Sequence, residues 1–421
     1  MRKLLVIIPA LESGGAETFA TVIAVASTKT YEVHAAVTTF PALRHVTERL
    51  LMNGIRCHTF VLPREHFTAV REEHRWKNPT DVEGDWFLRL VQMARRNVHR
   101  LSELRHTISQ YVRTIALLMA VRPDLILLNI SWGTFGLGMI LACAFSKAPT
   151  AVVFHSYPFP FHLRKTKLRA YRWAWNRNQQ WIAVSDHSRS LMSETFGIPL
   201  ERIKRIYTGI QLKPSAHQEL GHTRQAVRAE LGIPQQAIVL LTVGRLERAK
   251  GYQFLIEVLP DLVREFPSLL CVWVGEGEDR LWLQRLVQEH GVADYVMMFG
   301  HRSDVIRMMQ AADMFVLPSL FEGLPFVLLE AMAQRMPIIA SDAGGIPELI
   351  HDGVHGVLVR AGDRSSLLQA LRRALANPEQ MQAMARAAEQ RVQEFSQERM
   401  IRETLGVLDS LAELREGGRR P

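Results

Sequence analysis

At 421 residues the chain is too long for one ordinary domain, and two domains of about 200 residues each are the natural expectation. Hydrophobic content of 48% and charged content of 22% are those of a globular protein, and no apolar run approaches the length needed to cross a bilayer. The net charge of +9 is unevenly placed, at +13 over residues 1–220 and −4 over residues 221–421, so the first half is the one expected to face an anionic partner.

That partner could be a membrane surface, a phosphorylated acceptor or a nucleic acid. No recognised nucleic-acid module is present, so a basic nucleic-acid-binding protein is the weaker alternative. Leu4 to Ile8 after Arg2-Lys3 mimics the start of a signal peptide. Pro9, Glu12 and Gly14-Gly15 follow too soon, and no small-residue cleavage site appears, so the run reads as a first buried strand. Cys57, Cys143 and Cys271 are scattered without metal or redox spacing, which suits a reducing cytoplasm.

Lys3 to Pro9 predicts a central parallel strand, continuous, apolar and branched. Ser13-Gly14-Gly15-Ala16-Glu17 then leads into a helix over Thr18–Ser27, a strand, turn and helix that form one possible anion site. A third glycine is missing, so this is not the dinucleotide fingerprint. Val33–Thr38 and Arg56–Leu62 predict the next two strands. Residues 64–122 are less regular and basic, with Arg71, Arg75, Lys77, Arg89, Arg95, Arg96, Arg100 and Arg105. Trp86–Ala120 predicts one or two amphipathic helices, either packed on a sheet or forming an acceptor- or membrane-facing surface.

Asp124–Asn129 and Thr150–His155 predict further strands, and Tyr157–His162 an aromatic loop broken by prolines. Arg164 to Arg177 holds six basic residues and no acidic one. Leu168, Tyr171 and Trp175 share one helical face and Lys165, Arg169 and Arg172 another, which fits packing on a sheet or a role at a lipid surface. Trp181–Ser185 and Arg205–Ile210 complete the first strand series, and Gln211–Gln236 reads as linker.

A second alternation of strands and helices follows. Strands are expected at Ala237–Val243, Leu269–Val274, Val296–Phe299, Met314–Leu317, Pro337–Ser341 and Gly356–Val359. Strand–helix alternation on this scale means a doubly wound parallel sheet. The expected fold class is α/β, two Rossmann-like doubly wound parallel-sheet domains facing a cleft at their carboxyl edges. The expected boundaries are 1–212, a linker region 213–236, 237–395, and a C-terminal helix 396–421 crossing back to the first domain, with Gly417–Pro421 frayed.

The most informative stretch is Pro318 to Met332. A buried strand runs into Gly323-Leu324-Pro325 and then a helix. Gly323 would let the backbone turn sharply beside a ligand, and Pro325 suits the first helical position. The helix N-terminus has unpaired N–H groups and a positive partial charge, which suits a phosphate. Glu322 and Glu330 frame the turn with seven residues between them. A carboxylate beside a phosphate makes more sense as an acceptor for sugar or ribose hydroxyls. Earlier, Gly244-Arg245 and Lys250-Gly251 follow the first strand of this half, where fixed cations could stabilise a leaving diphosphate. Gly275 and Gly277 would allow close approach of a flat base, and Phe299-Gly300-His301-Arg302 could read its edge.

Together, in order and spacing over residues 238–362, these motifs resemble glycosyltransferase family 4 (glycosyl transferases group 1), retaining nucleotide-sugar transferases of the GT-B fold. Residues 1–220 are similar more loosely, at Gly14-Gly15, His155 and Ser185, and Thr208-Gly209 stands where the family usually has Asn-Gly. The resemblance implies a hexosyltransferase acting on a nucleoside diphosphate sugar, with a glycan or lipid-linked acceptor in polysaccharide or glycolipid biosynthesis. It implies Glu322, His155, Arg245 and Lys250 at the reaction centre. It implies a donor set of Gly14, Gly15, Arg245, Lys250, Gly275, Arg302, Gly323, Leu324, Pro325 and Glu330. Taken alone, His155 would read as a core histidine at a strand end. No Asp-x-Asp pair lies beside a strand, so the side-chain cations are expected to replace a metal, and no cofactor is expected. The expected location is the cytoplasm, with a possible peripheral place at the inner face of the membrane. A same-fold nucleotide-sugar epimerase or phosphorylase and a non-catalytic binding protein are the alternatives.

Overall fold

The computed structural model describes residues 1–11, 14–62, 86–131, 135–156, 163–212 and 224–416, with side chains of 86–100 and 414–416 outside the description. Arg71, Arg75 and Lys77, the loop Tyr157–His162, residues 213–223 of the expected linker and the tail Gly417–Pro421 lie outside the described residues. So do the side chains of Arg89, Arg95, Arg96 and Arg100. The chain divides into two compact units. One holds Met1–Val184, Ser188–Ile206 and Ile401–Pro421, and the other Ser185–His187 and Tyr207–Met400.

The first unit is built on seven parallel strands. They are β1 (Lys3–Ile8), β2 (Glu32–Thr38), β3 (Arg56–Phe60), β4 (Leu125–Ile130), β5 (Thr150–Phe154), β6 (Gln179–Ala183) and β7 (Lys204–Arg205). Their order is β3-β2-β1-β4-β5-β6-β7. All six residues of β4 are buried, because helices cover both faces of a parallel sheet and each side chain meets core. Strand order reverses between β1 and β4, and the carboxyl ends of these neighbours bring the chain segments after Ile8 and Ile130 together.

One helix of 36 residues, Trp86–Val121, occupies the stretch expected to hold one or two. It packs on the helix Leu137–Phe145 at Gly138, where a Cβ would come within 2.1 Å of the Thr107 carbonyl oxygen. Only glycine allows that approach. The basic helix Lys165–Asn178 lays its apolar side on the sheet: Tyr171 is 1% exposed, and Leu168, Trp173 and Trp175 pack against the same core. The aromatic face that could have met lipid is therefore core, while Lys165, Arg169 and Arg172 stay exposed on the other side.

The second unit has six parallel strands, β8 (Ile238–Val243), β9 (Leu269–Val274), β10 (Val296–Met298), β11 (Met314–Leu317), β12 (Ile338–Ser341) and β13 (Val357–Val359). Their order is β10-β9-β8-β11-β12-β13, so the reversal falls between β8 and β11. The helix Tyr252–Glu265 buries Tyr252, Leu255, Ile256, Leu259 and Leu262 against the sheet, with Tyr252 beside Trp273. The stretch expected as linker contains a helix, Arg224–Glu230. Its Arg228 is buried, donates to the carbonyls of Ala311, Gln235 and Ala237, and pairs with Asp313 at 2.9 Å. A five-donor guanidinium satisfied this completely belongs to a folded domain rather than a tether. The segment expected as a strand over Arg205–Ile210 pairs only at Lys204–Arg205, and Ile210 instead bridges Ser396 within the second unit. In the helix Gln397–Glu416 the residues from Ile401 onward belong to the first unit, where the Tyr31 hydroxyl donates to the Asp409 carboxylate.

Candidate functional site

In the second unit the loops after β8 and β11 meet at the reversal. The loop after β8 runs through Gly244, Arg245 and Glu247 to the short turn Arg248–Lys250. Gly251 then takes φ +73°, and a Cβ there would lie 1.8 Å from the Pro318 carbonyl oxygen, so this loop touches the β11 loop directly. The Leu320 amide donates to the Ala249 carbonyl at 2.8 Å and locks the two together.

Across this contact the Lys250 ammonium lies 2.7 Å from Glu322 Oε1, and the Ser319 hydroxyl donates to the same oxygen at 2.7 Å. Glu322 is buried, and Lys250 is mostly so. A charged pair this far from water has lost hydration that only mutual attraction and further hydrogen bonds restore. Ser341 extends the support from β12, donating to the Ser319 carbonyl. Ser319 was not singled out from sequence; its place three residues before Glu322, on the same loop, is the signal that could have found it. Arg245 sits nearby on the β8 loop and pairs with Glu247 at 2.9 Å, with about a third of its side chain open to solvent.

The geometry moves one assignment. Gly323 is not among the residues with positive φ. The strained glycine is Gly344, at φ +58°, where a Cβ would meet the Glu322 carbonyl oxygen at 1.8 Å. Gly345 follows, its amide 3.4 Å from that oxygen and its own Cβ position 2.1 Å from the Gly323 carbonyl. The turn that carries Glu322 is thus shaped by the glycines after β12. The helix after it, Phe326–Ala333, starts one residue later than expected, with Pro325 as its N-cap. Thr208 holds Leu324 through a 3.2 Å hydrogen bond to its carbonyl.

Glu330 lies one turn inside this helix. No hydrogen bond or ion pair to its carboxyl is found among the described residues, and burial pushes it up to about 7. A half-buried carboxyl without a donor from the protein is open to one from a ligand. Gly275 and Gly277 behave differently from expectation. Their Cβ positions would lie 2.0 Å from the Gly244 carbonyl oxygen and 2.3 Å from that of Leu246. They are glycines because the β8 and β9 loops pack backbone to backbone. Gly300, at φ +72°, bonds the Gly275 amide through its carbonyl at 2.8 Å. Arg302 is committed to Asp304 by two bonds of 2.8 and 2.7 Å.

In the first unit the reversal gathers a different set. Gly14 caps the helix Gly15–Ser27 in an extended conformation. The first turn of that helix already holds a carboxylate: Glu17 is buried, accepts from the Ser131 hydroxyl at 3.1 Å, and its second oxygen comes within 3.4 Å of where a Gly14 Cβ would be. A resident anion fills the positive end of the helix, so this turn suits hydroxyl groups better than the phosphate first expected there. Beside it His155, just past β5, is buried with its Nε2 2.7 Å from Asn129 Oδ1 and the edge of Phe19 near its ring. Burial pushes the imidazole down to about 3, so it stands neutral. The side-chain amide nitrogen of Asn129 is buried with no partner. Glu17 and Asn129 were missed in the sequence because each looked like an ordinary helix or strand residue. Within the second unit the structure pairs Lys250 with Glu322, with Arg245 on the same loop as Lys250 and Glu330 on the helix that follows Glu322; within the first, His155 packs on Phe19 of the helix that Gly14 caps.

Two family models match the chain. One, described as glycosyl transferases group 1, covers residues 223–391, and one described as glycosyltransferase family 4 covers residues 14–213. An alpha-D-kanosaminyltransferase of Streptomyces kanamyceticus is 31% identical over 49% of this chain and 54% of its own length. Spore coat protein SA of Bacillus subtilis is 33% identical over 43% of this chain and 51% of its own. The chain thus spans about half the length of the curated relatives it matches. Among solved structures, HepE of Anabaena in complex with UDP-glucose superposes with a TM-score of 0.74 at 21% identity, covering 97% of this chain and 100% of that one. Sucrose-phosphate synthase of Thermosynechococcus elongatus superposes with 0.70 at 18% identity, covering 98% and 99%. These likenesses show the shared GT-B fold.

Proposed function

Since the chain belongs to the group 1, family 4 glycosyltransferases of GT-B fold, we propose that it transfers a sugar, with retention, from a nucleoside diphosphate sugar to a glycan or lipid-linked acceptor. The observation that carries this reading is the Lys250–Glu322–Ser319 cluster at the strand-order reversal of the second unit, with Arg245 beside it. Ligands of open parallel sheets bind at that place.

The diphosphate lies against Arg245 and Lys250. As the bond from sugar C1 to the phosphate oxygen breaks, negative charge grows on the leaving diphosphate, and fixed cations stabilise it more then than in the ground state. The acceptor hydroxyl attacks C1 from the same face and passes its proton to the departing phosphate oxygen. One C–O bond forms, one breaks, and no further reactant is needed. Glu322 accepts from hydroxyls of the moving sugar, since one of its oxygens is engaged by Lys250 and Ser319. Glu330 accepts from the ribose. His155, neutral, bonds the sugar, and Gly14 and Gly15 approach it. Gly323, Leu324 and Pro325 complete the donor site, while Gly275 and Arg302 shape its surroundings through their packing on Gly244 and Asp304. Two side-chain cations do the work that a metal would do on the diphosphate, so the reaction runs without one. No further cofactor takes part. The product belongs to polysaccharide or glycolipid assembly, in the cytoplasm and at the inner membrane face.

The test is nucleotide release from a panel of UDP-, GDP- and ADP-sugars, with and without EDTA, and with anomer analysis of the product. HepE was solved with UDP-glucose, which makes that donor the first to try. Release from one donor, undiminished by EDTA and with the anomeric configuration kept, is the expected result. Binding of donors without release under any acceptor would favour a non-catalytic protein.

A further inference from the structure

The two cations that the proposed function sets against the diphosphate are each held by a carboxylate of the chain itself. The Arg245 guanidinium lies 2.9 Å from Glu247 Oε1, and the Lys250 ammonium 2.7 Å from Glu322 Oε1. A guanidinium spreads five N–H donors over a fork, so Arg245 can keep Glu247 on one edge and meet a phosphate with another. An ammonium is a compact point charge, and two anions that approach it divide the same attraction. The side chains of Lys250 and Glu322 are 19% and 8% exposed, so little water weakens that competition.

Of the two partners, Lys250 is the one able to move. Its flexible four-carbon stem lies along Gly244, with Cγ and Cδ each 3.7 Å from where a Cβ there would be. Glu322 is fixed from behind by the close approach of Gly344 to its carbonyl, and from the side by the Ser319 hydroxyl, which donates to Oε1 at 2.7 Å. Ser319 in turn is held by Ser341 of β12. The other carboxylate oxygen of Glu322, Oε2, makes no hydrogen bond among the described residues.

We propose that Glu322 and the diphosphate compete for Lys250, and that hydroxyls of the donor sugar decide the competition by donating to Glu322, so that the hold on the diphosphate loosens once the sugar has been transferred. The inference rests on the reading of this place as a sugar-nucleotide site, and it adds a regulation of that site. When the diphosphate draws Lys250 across, Glu322 stays buried with Ser319 as its donor among the described residues. A buried carboxylate that loses its cation is strongly destabilising. Sugar hydroxyls offset that loss, because hydrogen bonds to an ionised acceptor are the strong ones. A nucleoside diphosphate without its sugar has no sugar hydroxyl to offer Glu322, so the carboxylate draws Lys250 back and the product leaves more easily. The exchange makes and breaks no covalent bond.

The experiment is calorimetry of the full chain with UDP and UDP-glucose, and likewise with GDP, ADP and their sugar nucleotides, on wild type and variants. Glu322→Gln keeps the shape and an acceptor for Ser319 while removing the charge that competes for Lys250. It is expected to bind the free nucleoside diphosphate roughly tenfold tighter than the wild type does, and to bind the sugar nucleotide no tighter. In a Lys250→Gln background the same change is expected to gain nothing, since the cation competed for is gone. Ser319→Ala leaves Glu322 more dependent on Lys250, and is expected to weaken binding of the free diphosphate severalfold. A merely structural role for these side chains would weaken binding in every variant. The proposal is overturned if Glu322→Gln leaves the diphosphate affinity unchanged or lower. It is equally overturned if the gain persists in the Lys250→Gln background, where only repulsion would be acting. A wild type that releases nucleotide from a donor while its variants give either result would lose this proposal and keep the transferase reading. A wild type that neither binds nor consumes any of these nucleotides would lose both.

Discussion

Both units are parallel sheets whose strand order reverses next to the first strand, yet the two reversals are furnished in opposite ways. In the second unit the place is charged: Lys250 against Glu322, Arg245 with Glu247, and the lone Glu330 one helical turn on. Among the described residues of the first unit's reversal the place is mostly neutral, with Asn129 bonded to His155, and the carboxylate of Glu17 is held by Ser131. The sheets are equivalent supports. What differs is the length and composition of the loops leaving their carboxyl ends, and those loops decide which unit can hold a charged ligand. The proposed function uses this contrast, taking the diphosphate to the second unit and hydroxyl-bearing groups to the first.

The largest effect should come from removing the cations of the charged reversal. Lys250→Ala and Arg245→Ala are each expected to lower turnover about a hundredfold or more, because each deletes stabilisation of the leaving diphosphate. Lys250→Ala also strands the buried Glu322 carboxylate, so its Tm should fall as well, whereas Arg245, more open to solvent, should cost little stability. Steady-state kinetics with the best donor, beside a thermal melt of each variant, separate the two. Near-normal turnover in both would break the contrast between the units.

A smaller effect is expected at Glu330. Losing a charged acceptor for ribose hydroxyls costs about 1.5–3 kcal/mol, so Glu330→Ala should weaken donor binding roughly tenfold to a hundredfold by calorimetry. Its pH dependence sharpens the point. The folded carboxyl stands at about 7 against an ordinary 4.5, so the folded state holds its proton more tightly than the unfolded chain. That contribution to stability is complete below 4.5 and is lost as pH rises through 7, on the order of 3 kcal/mol in all. Glu330→Gln should flatten this part of the profile in the ligand-free protein. Urea melts between pH 4.5 and 8 that are parallel for wild type and variant would refute it.

How much of this could be read in the chain depended on the range of the interaction. The strands were legible because a parallel strand buried on both faces must be continuously apolar, as at Lys3–Ile8 and Leu269–Val274. The pair Glu322 and Glu330 was legible because one loop and one helix fix their spacing. Partners from distant segments were not. Nothing near Glu322 in sequence says that Gly344 must pack on its carbonyl, so the turn was attributed to Gly323. Likewise Gly275 and Gly277 looked like room for a base, and in the fold they are room for Gly244 and Leu246. The basic aromatic helix Lys165–Asn178 read equally as core or lipid-facing, since periodicity finds a face without saying what covers it. The amphipathic stretch Trp86–Ala120 left the same choice open, and in the fold Leu101, Ile108 and Val112 of it are exposed.

The smallest expected effect is at His155, and it inverts ordinary titration. Histidine is the usual group to change charge near neutrality and glutamate is not. Here Glu330 sits at about 7 and His155 at about 3. Both shifts have burial as their cause, acting on groups of opposite charge type: it disfavours the anion in one and the cation in the other. For His155 the ordinary value is 6.5. Its neutral form is therefore favoured by folding; the associated stability is complete above 6.5 and declines as pH falls from there toward 3. Between pH 5 and 8 the wild-type imidazole should show almost no change in its NMR shifts. Asn129→Asp would set a carboxylate where the amide oxygen now lies, 2.7 Å from Nε2, and should bring the titration up into that window. Turnover of the wild type should consequently carry no His155 limb, while the variant gains one. A wild-type His155 that titrates near 6.5 would mean that water reaches the first unit's reversal, and the division between a charged and a neutral site would lose its physical basis.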